Sequence, residues 1–412
     1  MKIQSIRGTH DIYGEDIHKF NKIKSEISFL SDLFNFKEIQ TPIMESTELF
    51  AKPLGEHSDV VLKEMYTFLD RNNDSLTLRP EYTTPMIRAA ISNNLLSKLP
   101  CKLFGIGQMF RRERPQKGRY RQFNQINFEI LGTNDTQADI ELILIANKFL
   151  NSLIPEVKLN LEINSLGDRK TLFKYKDVLS DYLKKNKTKL SKYSKTKILT
   201  NPLRVLDSKE SEDKKIIENA PKINDFLSND ALLNYNEVKN SLENLNIDYR
   251  ENPSLVRGLD YYCHTVFEFK TEALGSQDTL IGGGRYNGLV EVLGGPDIPG
   301  VGWAGGIERM ILLMQNQQNE KKSVHLAILE HKFKYHALKV YKLLLDNNIA
   351  VDWNYKFNLK KSLSHASEAK AKYIIIIGEE EIKKNKFTIK NLTVGKQQIV
   401  DFENIINIIN NG

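Results

Sequence analysis

Apolar residues at Phe20, Ile23, Ile27, Leu30 and Phe34 recur at spacings of three and four, which predicts an amphipathic helix over residues 17–35. Residues 36–42 read as a strand ending at Pro42, which lacks an amide donor and suits a strand end or edge. A short strand is expected at 75–78, followed by RPEYT (79–83) and a helix through Ile91. From Phe123 onward the pattern alternates. Asn124, Ile126, Phe128 and Ile130 fall on one face, and Gln125, Asn127 and Glu129 on the other. This strand (122–131) and one at 102–110 frame a loop and are predicted to pair antiparallel. Residues 137–153 read as helix, and helical spacing resumes after Asn164 to about Leu245. Beyond a linker-like QNQQNEKK (315–322), strands at 324–329, 350–353 and 373–377 alternate with helices at 335–347 and 359–370, before a terminal hairpin. That alternation predicts a small α/β domain.

Length and charge refine this picture. The 412 residues allow two or three domains with real cores. The net charge is +7, and residues 325–412 hold fourteen lysines, no arginines and nine acids, net +5. A polyanionic partner is favoured. Residues 184–197 (KKNKTKLSKYSKTK) read either as a solvated helix face or as an RNA-facing insertion. With only Cys101 and Cys263 there is no disulfide framework or CxxC site. No apolar run approaches the roughly 20 residues of a membrane span and no secretory pattern opens the chain, so a cytoplasmic protein without membrane association is expected.

The chemistry concentrates around residues 110–129. Arg111, Arg112, Arg114, Arg119 and Arg121 crowd a loop with Pro115 and Gly118, directly before the polar strand face. Arginine's planar fork grips phosphate with bidentate, charge-assisted hydrogen bonds. Arg309 opens an apparent helix over 306–314, straight after a Gly-rich strand with Gly302, Gly305 and Gly306, where it could hold a phosphate or stack on a base. Glu81, Gln125, Glu129, Tyr261 and Tyr262 form a second group suited to an ammonium and a polar side chain. Together the two groups suggest amino-acid activation by a nucleotide. GGG at 282–284 is not a GxGxxG fingerprint, and Walker A and HExxH patterns are absent. The eight scattered histidines offer no zinc cluster or hydrolytic triad by motif, and His57 and His264 read as structural or surface residues.

At this point the chain resembles the class II aminoacyl-tRNA synthetases, and within them the histidyl-tRNA synthetases. FRRERPQKGRYRQF (110–123) is similar to motif 2, GVGWAGGIERM (300–310) to motif 3, and 36–42 to the weaker motif 1 of the dimer interface. LVRGLDYY (255–262) and GGGRYNGL (282–289) resemble the two histidine signatures, and TNPLRVLDSK (200–209) the family's insertion. The resemblance spans essentially the whole chain. It implies an α/β fold with an α+β catalytic core: an antiparallel class II sheet flanked by helices over residues 1–320, with a helical insertion at about 165–250. An α/β anticodon-binding domain over 324–412 would follow.

The resemblance also implies roles. Glu81, Thr83 and Gln125 would hold the histidine α-amino group and pocket, Glu129 and Tyr262 the imidazole, and Tyr286 would lie near it. Arg111 would meet the ATP α-phosphate, Arg114 and Arg309 the β- and γ-phosphates, and Arg257 would be the catalytic cation. Gln116 and Arg121 are candidates for reading an extra 5′ guanosine on tRNA(His). The implied reaction joins histidine to ATP with Mg²⁺, releases pyrophosphate, and passes histidine to the tRNA 3′ end; a homodimer is expected. Cations must offset the repulsion of two anionic reactants. No editing domain is expected, because a site that hydrogen-bonds both ring nitrogens rejects analogues by itself. Tyr82 departs from the family pattern, which has glycine there, and would either narrow the pocket mouth or point away; Asn127 and Phe128 replace smaller residues. Two other readings share the core: a regulatory subunit that has lost catalytic residues, and a sensor of uncharged tRNA.

Overall fold

A computed structural model describes residues 3–55, 58, 60–275, 278–316 and 323–411. His57 and most of the expected linker (317–322) lie outside the described residues. The chain divides into two compact units, Met1–Asn316 and Gln317–Gly412.

The first unit is organised by an eight-stranded sheet. Its strand order is Lys37–Glu38, Cys101–Phe110, Gln122–Leu131, Gly300–Gly306, Thr279–Arg285, Cys263–Lys270, Asn160–Ser165 and Arg250–Glu251. The inner strands pair antiparallel and only the two outermost pairs are parallel. The expected strand at 36–42 shrinks to two residues. Arg79 holds the stretch after it from the side, with Nη1 donating to the carbonyl (2.8 Å) and hydroxyl (2.9 Å) of Thr41.

Alternation decides which layer each strand residue joins. Ile126, Phe128 and Ile130 enter a core with Ile23, Ile27 and Leu30 of helix Glu15–Leu33 and the apolar stripe of helix Gln137–Leu153. Phe128 stacks on Trp303 with ring centroids 4.9 Å apart. A second cluster unites helix Thr83–Ser92 with the insertion, through Tyr175, Leu179 and Leu183 of helix Arg169–Lys185 and Val205, Leu206 and Ile216 beyond it. Asp168 caps that insertion helix, accepting from the Thr171 amide at 2.8 Å.

The second unit is a five-stranded sheet in the order Ala350–Asp352, Ser323–Ile328, Tyr373–Ile377, Lys386–Asn391 and Gln397–Asp401. The first three strands are parallel and the last two close as an antiparallel hairpin. Helices Lys334–Asp346 and Leu359–Glu368 fall where the sequence predicts them. Among the described residues no helix is long and apolar enough to cross a membrane.

Candidate active site

The polar face of Gln122–Leu131 lies in a trough. Gln125 is flanked across the sheet by Gly107 and Gly306, Asn127 by Gly105 and Ala304, and Glu129 by Leu103 and Gly302. Neighbours this small on both sides of Gln125 and Asn127, and on one side of Glu129, leave space beside the polar row. A Cβ at Gly302 would collide with Oε2 of Glu129. A cavity of about 530 Å³ opens here, and Glu81, Thr83, Gln125, Arg111, Arg119, Arg257, Tyr261, Tyr262 and Arg309 line it.

One end is buried and carboxylate-rich. Glu81 accepts from the amides of Thr83 and Thr84, both at 2.8 Å, and from the Thr84 hydroxyl. Its charge therefore also serves the first turn of helix Thr83–Ser92. Glu129 lies just beneath the lining and is not itself a cavity wall. Oε1 accepts from the Thr83 hydroxyl (2.7 Å) and the Asn127 amide (3.1 Å), and Oε2 from the Tyr286 hydroxyl (2.5 Å). All three donors are neutral. Burial pushes the Glu129 carboxyl up to about 8 against these bonds, and the charge of Glu81 adds to the shift. Burial likewise raises Glu81. Burial and the nearby tyrosines and carboxylates hold the Tyr261 and Tyr286 phenols well above their ordinary range, so both remain neutral donors.

The other end gathers cations. Arg111 is fixed by its Nε, which donates to the Pro80 carbonyl at 2.8 Å. The 116–119 turn, with Gly118 at φ +72°, folds Arg119 inward, where it pairs with Glu113. Arg309 donates to the carbonyls of Gly118 (3.2 Å) and Thr279 (2.6 Å). Burial, and after it the charges of Arg119 and Arg111, hold the Arg309 guanidinium below its usual value. Burial does the same to Arg119, with Glu64 opposing and Arg111 reinforcing. Guanidinium groups that depress one another gain from an anion between them.

Arg257 stands near both ends. It pairs with Glu268, which also accepts from the Thr279 hydroxyl (3.0 Å) and Lys270 (3.1 Å). Burial works to lower Arg257, but the charge of Glu268 and the neighbouring tyrosines outweigh it and raise the group. Gly282 lies opposite Glu268, and a Cβ there would collide with the Arg257 guanidinium. The first glycine of GGG thus makes room for the arginine of the other signature.

The structure brings together most, though not all, of the residues singled out in the sequence. Tyr286 does not line the cavity; it is fully buried and orients Glu129 from behind. Arg114 and Arg121 line a separate shallow recess with Arg7, Lys63 and Arg112, while Gln116 is exposed in the turn. Tyr82 points away from the cavity. Its hydroxyl donates to the Ile39 carbonyl at 3.2 Å, and its ring fills space that a Cβ on Gly105 would need. His264 is part-buried at φ 46°, and burial lowers its imidazole. Sequence reasoning named Arg119 among the phosphate-gripping loop arginines but gave it no place in the site, and missed Glu268 as the partner of Arg257 and Glu308, which accepts from the Asn124 amide at 2.8 Å and so anchors the helix that carries Arg309. It also missed the insertion's part in the wall, through Tyr193, Arg204, Asp207 and Lys209.

Comparison with known proteins bears on this arrangement. The sequence model of the family described as histidyl-tRNA synthetase matches residues 8–310, and that of an anticodon binding domain matches residues 319–412. The histidine–tRNA ligase of Wolbachia pipientis subsp. Culex pipiens is 44% identical over 97% of this chain and 98% of its own length. That of Ehrlichia canis is 43% identical over 100% and 98%. The crystal structure of the apo S. aureus histidyl-tRNA synthetase superposes with a TM-score of 0.81 at 34% identity, covering 99% of this chain and 100% of the other. With both histidine signatures folded onto one cavity and relatives matching end to end, the chain belongs to the histidyl-tRNA synthetase family.

Proposed function

We propose that this protein is a histidine–tRNA ligase. It joins histidine to ATP as histidyl-adenylate with release of pyrophosphate, then transfers histidine to the 3′ end of tRNA(His). The observation that carries the reading is one cavity with a buried carboxylate end and a guanidinium-lined end, bridged by Arg257.

In this reading Glu81, Thr83 and Gln125 receive the α-ammonium, and Glu129 with Tyr262 receives the imidazole, held by Tyr286 from behind. The histidine carboxylate then lies toward Arg257 and attacks the α-phosphorus in line, with the pyrophosphate departing toward Arg309. Arg111 and Arg257 offset charge that builds at phosphorus. Arg119 joins Arg309 on the β- and γ-phosphates, and Arg114 reaches them only if the 111–121 loop moves. Glu113, Asp278 and Glu308, whose carboxylates share this wall and are hard oxygen donors, would hold a Mg²⁺ ion bound with ATP, which would supply counter-charge to the phosphates.

Gln116 and Arg121 face the tRNA acceptor end, Arg121 within the recess it shares with Arg7, Lys63, Arg112 and Arg114, whose cations suit backbone phosphates. Residues 1–320 form the catalytic domain and 324–412 the anticodon-binding domain, where the lysine excess supplies the electrostatic part of binding. A homodimer fits the apolar side chains of Ile43, Met44, Phe68 and Leu69, exposed on and beside the small sheet of Met44–Ser46, Ser75–Leu78 and Tyr66–Leu69. The proposed location is the cytoplasm. A regulatory subunit without catalysis is disfavoured because Glu81, Arg111, Arg257 and Arg309 are all present and, Glu81 to Arg309, line one cavity.

Histidine-dependent ATP–pyrophosphate exchange with purified protein and Mg²⁺, run against the other amino acids, tests the proposal. Exchange with histidine alone is expected; folded protein that exchanges with none would move the function to regulation or sensing.

A further inference from the structure

The second unit holds a group of side chains that the reaction does not use. His325, in the strand Ser323–Ile328, Asp352, at the end of Ala350–Asp352, and His365, on helix Leu359–Glu368, converge from three segments. Nδ1 of His325 lies 3.1 Å from Asp352 Oδ2, and Nε2 of His365 lies 2.8 Å from the same oxygen. One candidate ligand atom from each residue lies within 4.8 Å of the others. Small residues leave the space: Ala327 follows His325 on the same strand face, and Ala366 packs against it from the helix.

We propose that His325, Asp352 and His365 form a binding site for a divalent cation of the Zn²⁺, Co²⁺, Ni²⁺ class. Two imidazoles and a carboxylate suit these borderline ions, not Mg²⁺ or Ca²⁺, which prefer all-oxygen shells. Around a tetrahedral ion with bonds of about 2.0–2.1 Å, neighbouring ligand atoms sit roughly 3.3 Å apart. The two nitrogen–oxygen separations are already close to that. Binding replaces the protons now shared with Asp352 and draws the two imidazole nitrogens, which lie within 4.8 Å of each other, toward that separation. His325 is fully buried, while Asp352 and His365 are 45% and 42% exposed, so the ion enters from the solvent side and keeps a position open there. Three protein ligands with one open position is the form of an exchangeable site rather than a closed structural one.

The site's expected weakness is also visible. Among the described residues, Nε2 of His325 is buried without a hydrogen-bond partner. Metal-bound imidazoles ordinarily donate their second N–H, and losing that support costs about 10–100-fold in affinity. Binding is therefore expected to be weaker by that factor than in a fully supported site of the same ligands. The spacing 325, 352, 365 matches no local metal motif, because the ligands meet only after the parallel strands pair.

The test uses the full chain, stripped with a chelator. Zn²⁺ affinity is measured by competition with a chromophoric chelator, and Co²⁺ binding by its visible absorption. Wild type is expected to take up one ion. His365→Ala should weaken uptake by more than the 10–100-fold expected for loss of mere second-layer support. Asp352→Asn should act in the same direction, and serves if His365→Ala folds poorly, since Asp352 is half exposed. His336→Ala, an exposed histidine outside the group, should leave affinity unchanged. No uptake by wild type, or equal uptake by wild type and both cluster variants, overturns the proposal.

Discussion

The two ends of the cavity are built by opposite means. At the carboxylate end, charge is buried first and partnered afterwards, by neutral hydroxyls and an amide, so Glu129 holds its proton up to about 8. At the guanidinium end, several cations are crowded: burial and then Arg111 push Arg119 down, and burial and then Arg119 and Arg111 push Arg309 down. The first arrangement rewards a ligand that brings hydrogen-bond donors into a water-poor floor. The second rewards any dense anion. Selectivity is therefore expected to reside at the Glu129 end, and rate at the Arg257 end. A polar floor left unpaired by the wrong side chain is costly, whereas phosphate is common to every reaction that uses ATP.

The largest effect should come from emptying the floor. Glu129→Ala strands the Thr83 and Tyr286 hydroxyls and the Asn127 amide. It should lower kcat/KM for histidine by roughly 10⁴-fold, with the ATP KM within a few-fold of wild type. Pyrophosphate exchange at varied histidine checks this, and normal histidine affinity would remove Glu129 from the pocket.

Arg257→Ala should come next. Loss of one preorganised donor at a charge-building centre costs about 10²–10³-fold in kcat. Both KM values should change little, as single-turnover adenylate formation would show. An equal loss in binding and rate would reassign Arg257 to the ground state.

The smallest expected effect is in pH. A carboxyl raised from an ordinary 4.5 to about 8 keeps its proton in the folded protein after the unfolded chain has lost it. Its contribution to stability is full below 4.5 and is lost as pH rises through about 8. The ionised carboxylate accepts a bond from the imidazole N–H more strongly than the neutral acid, whose carbonyl oxygen alone still accepts. Consequently, kcat/KM for histidine should rise with pH through an apparent pKa near 8, and Glu129→Gln should lack that step. Titration of free histidine is common to both proteins and cancels in their ratio. Superimposable profiles would assign the step elsewhere.

Much of this was legible where it rests on short-range periodicity. The alternation from Gln122 to Leu131 separated core from trough correctly, and the 3.6-residue pattern found helix Gln137–Leu153 to the residue. What escaped was set by distant neighbours. GGG and Arg257 were both conspicuous, yet that Gly282 clears space for Arg257 depends on the pairing of Thr279–Arg285 with Cys263–Lys270. Which loop arginine turns inward was hidden for a similar reason. The 116–119 turn sends Arg119 into the cavity and leaves Arg114 on the surface, and spacing along a loop does not encode direction. Tyr82 was ambiguous until Gly105, more than twenty positions on, proved to be the space its ring fills. Arg285, beside Tyr286 in the second signature, is spent on a buried ion pair with Asp139.

The most direct test of the division between the two ends compares two glycines of one sheet. Gly302→Ala puts a methyl group into the Glu129 carboxylate and Gly282→Ala puts one into the Arg257 guanidinium. Steady-state exchange kinetics on both variants, after thermal unfolding has shown each to be folded, is the measurement. The account predicts that Gly302→Ala raises the histidine KM while sparing the ATP KM, and that Gly282→Ala lowers kcat with both KM values nearly unchanged. The same kinetic defect in both variants would contradict it.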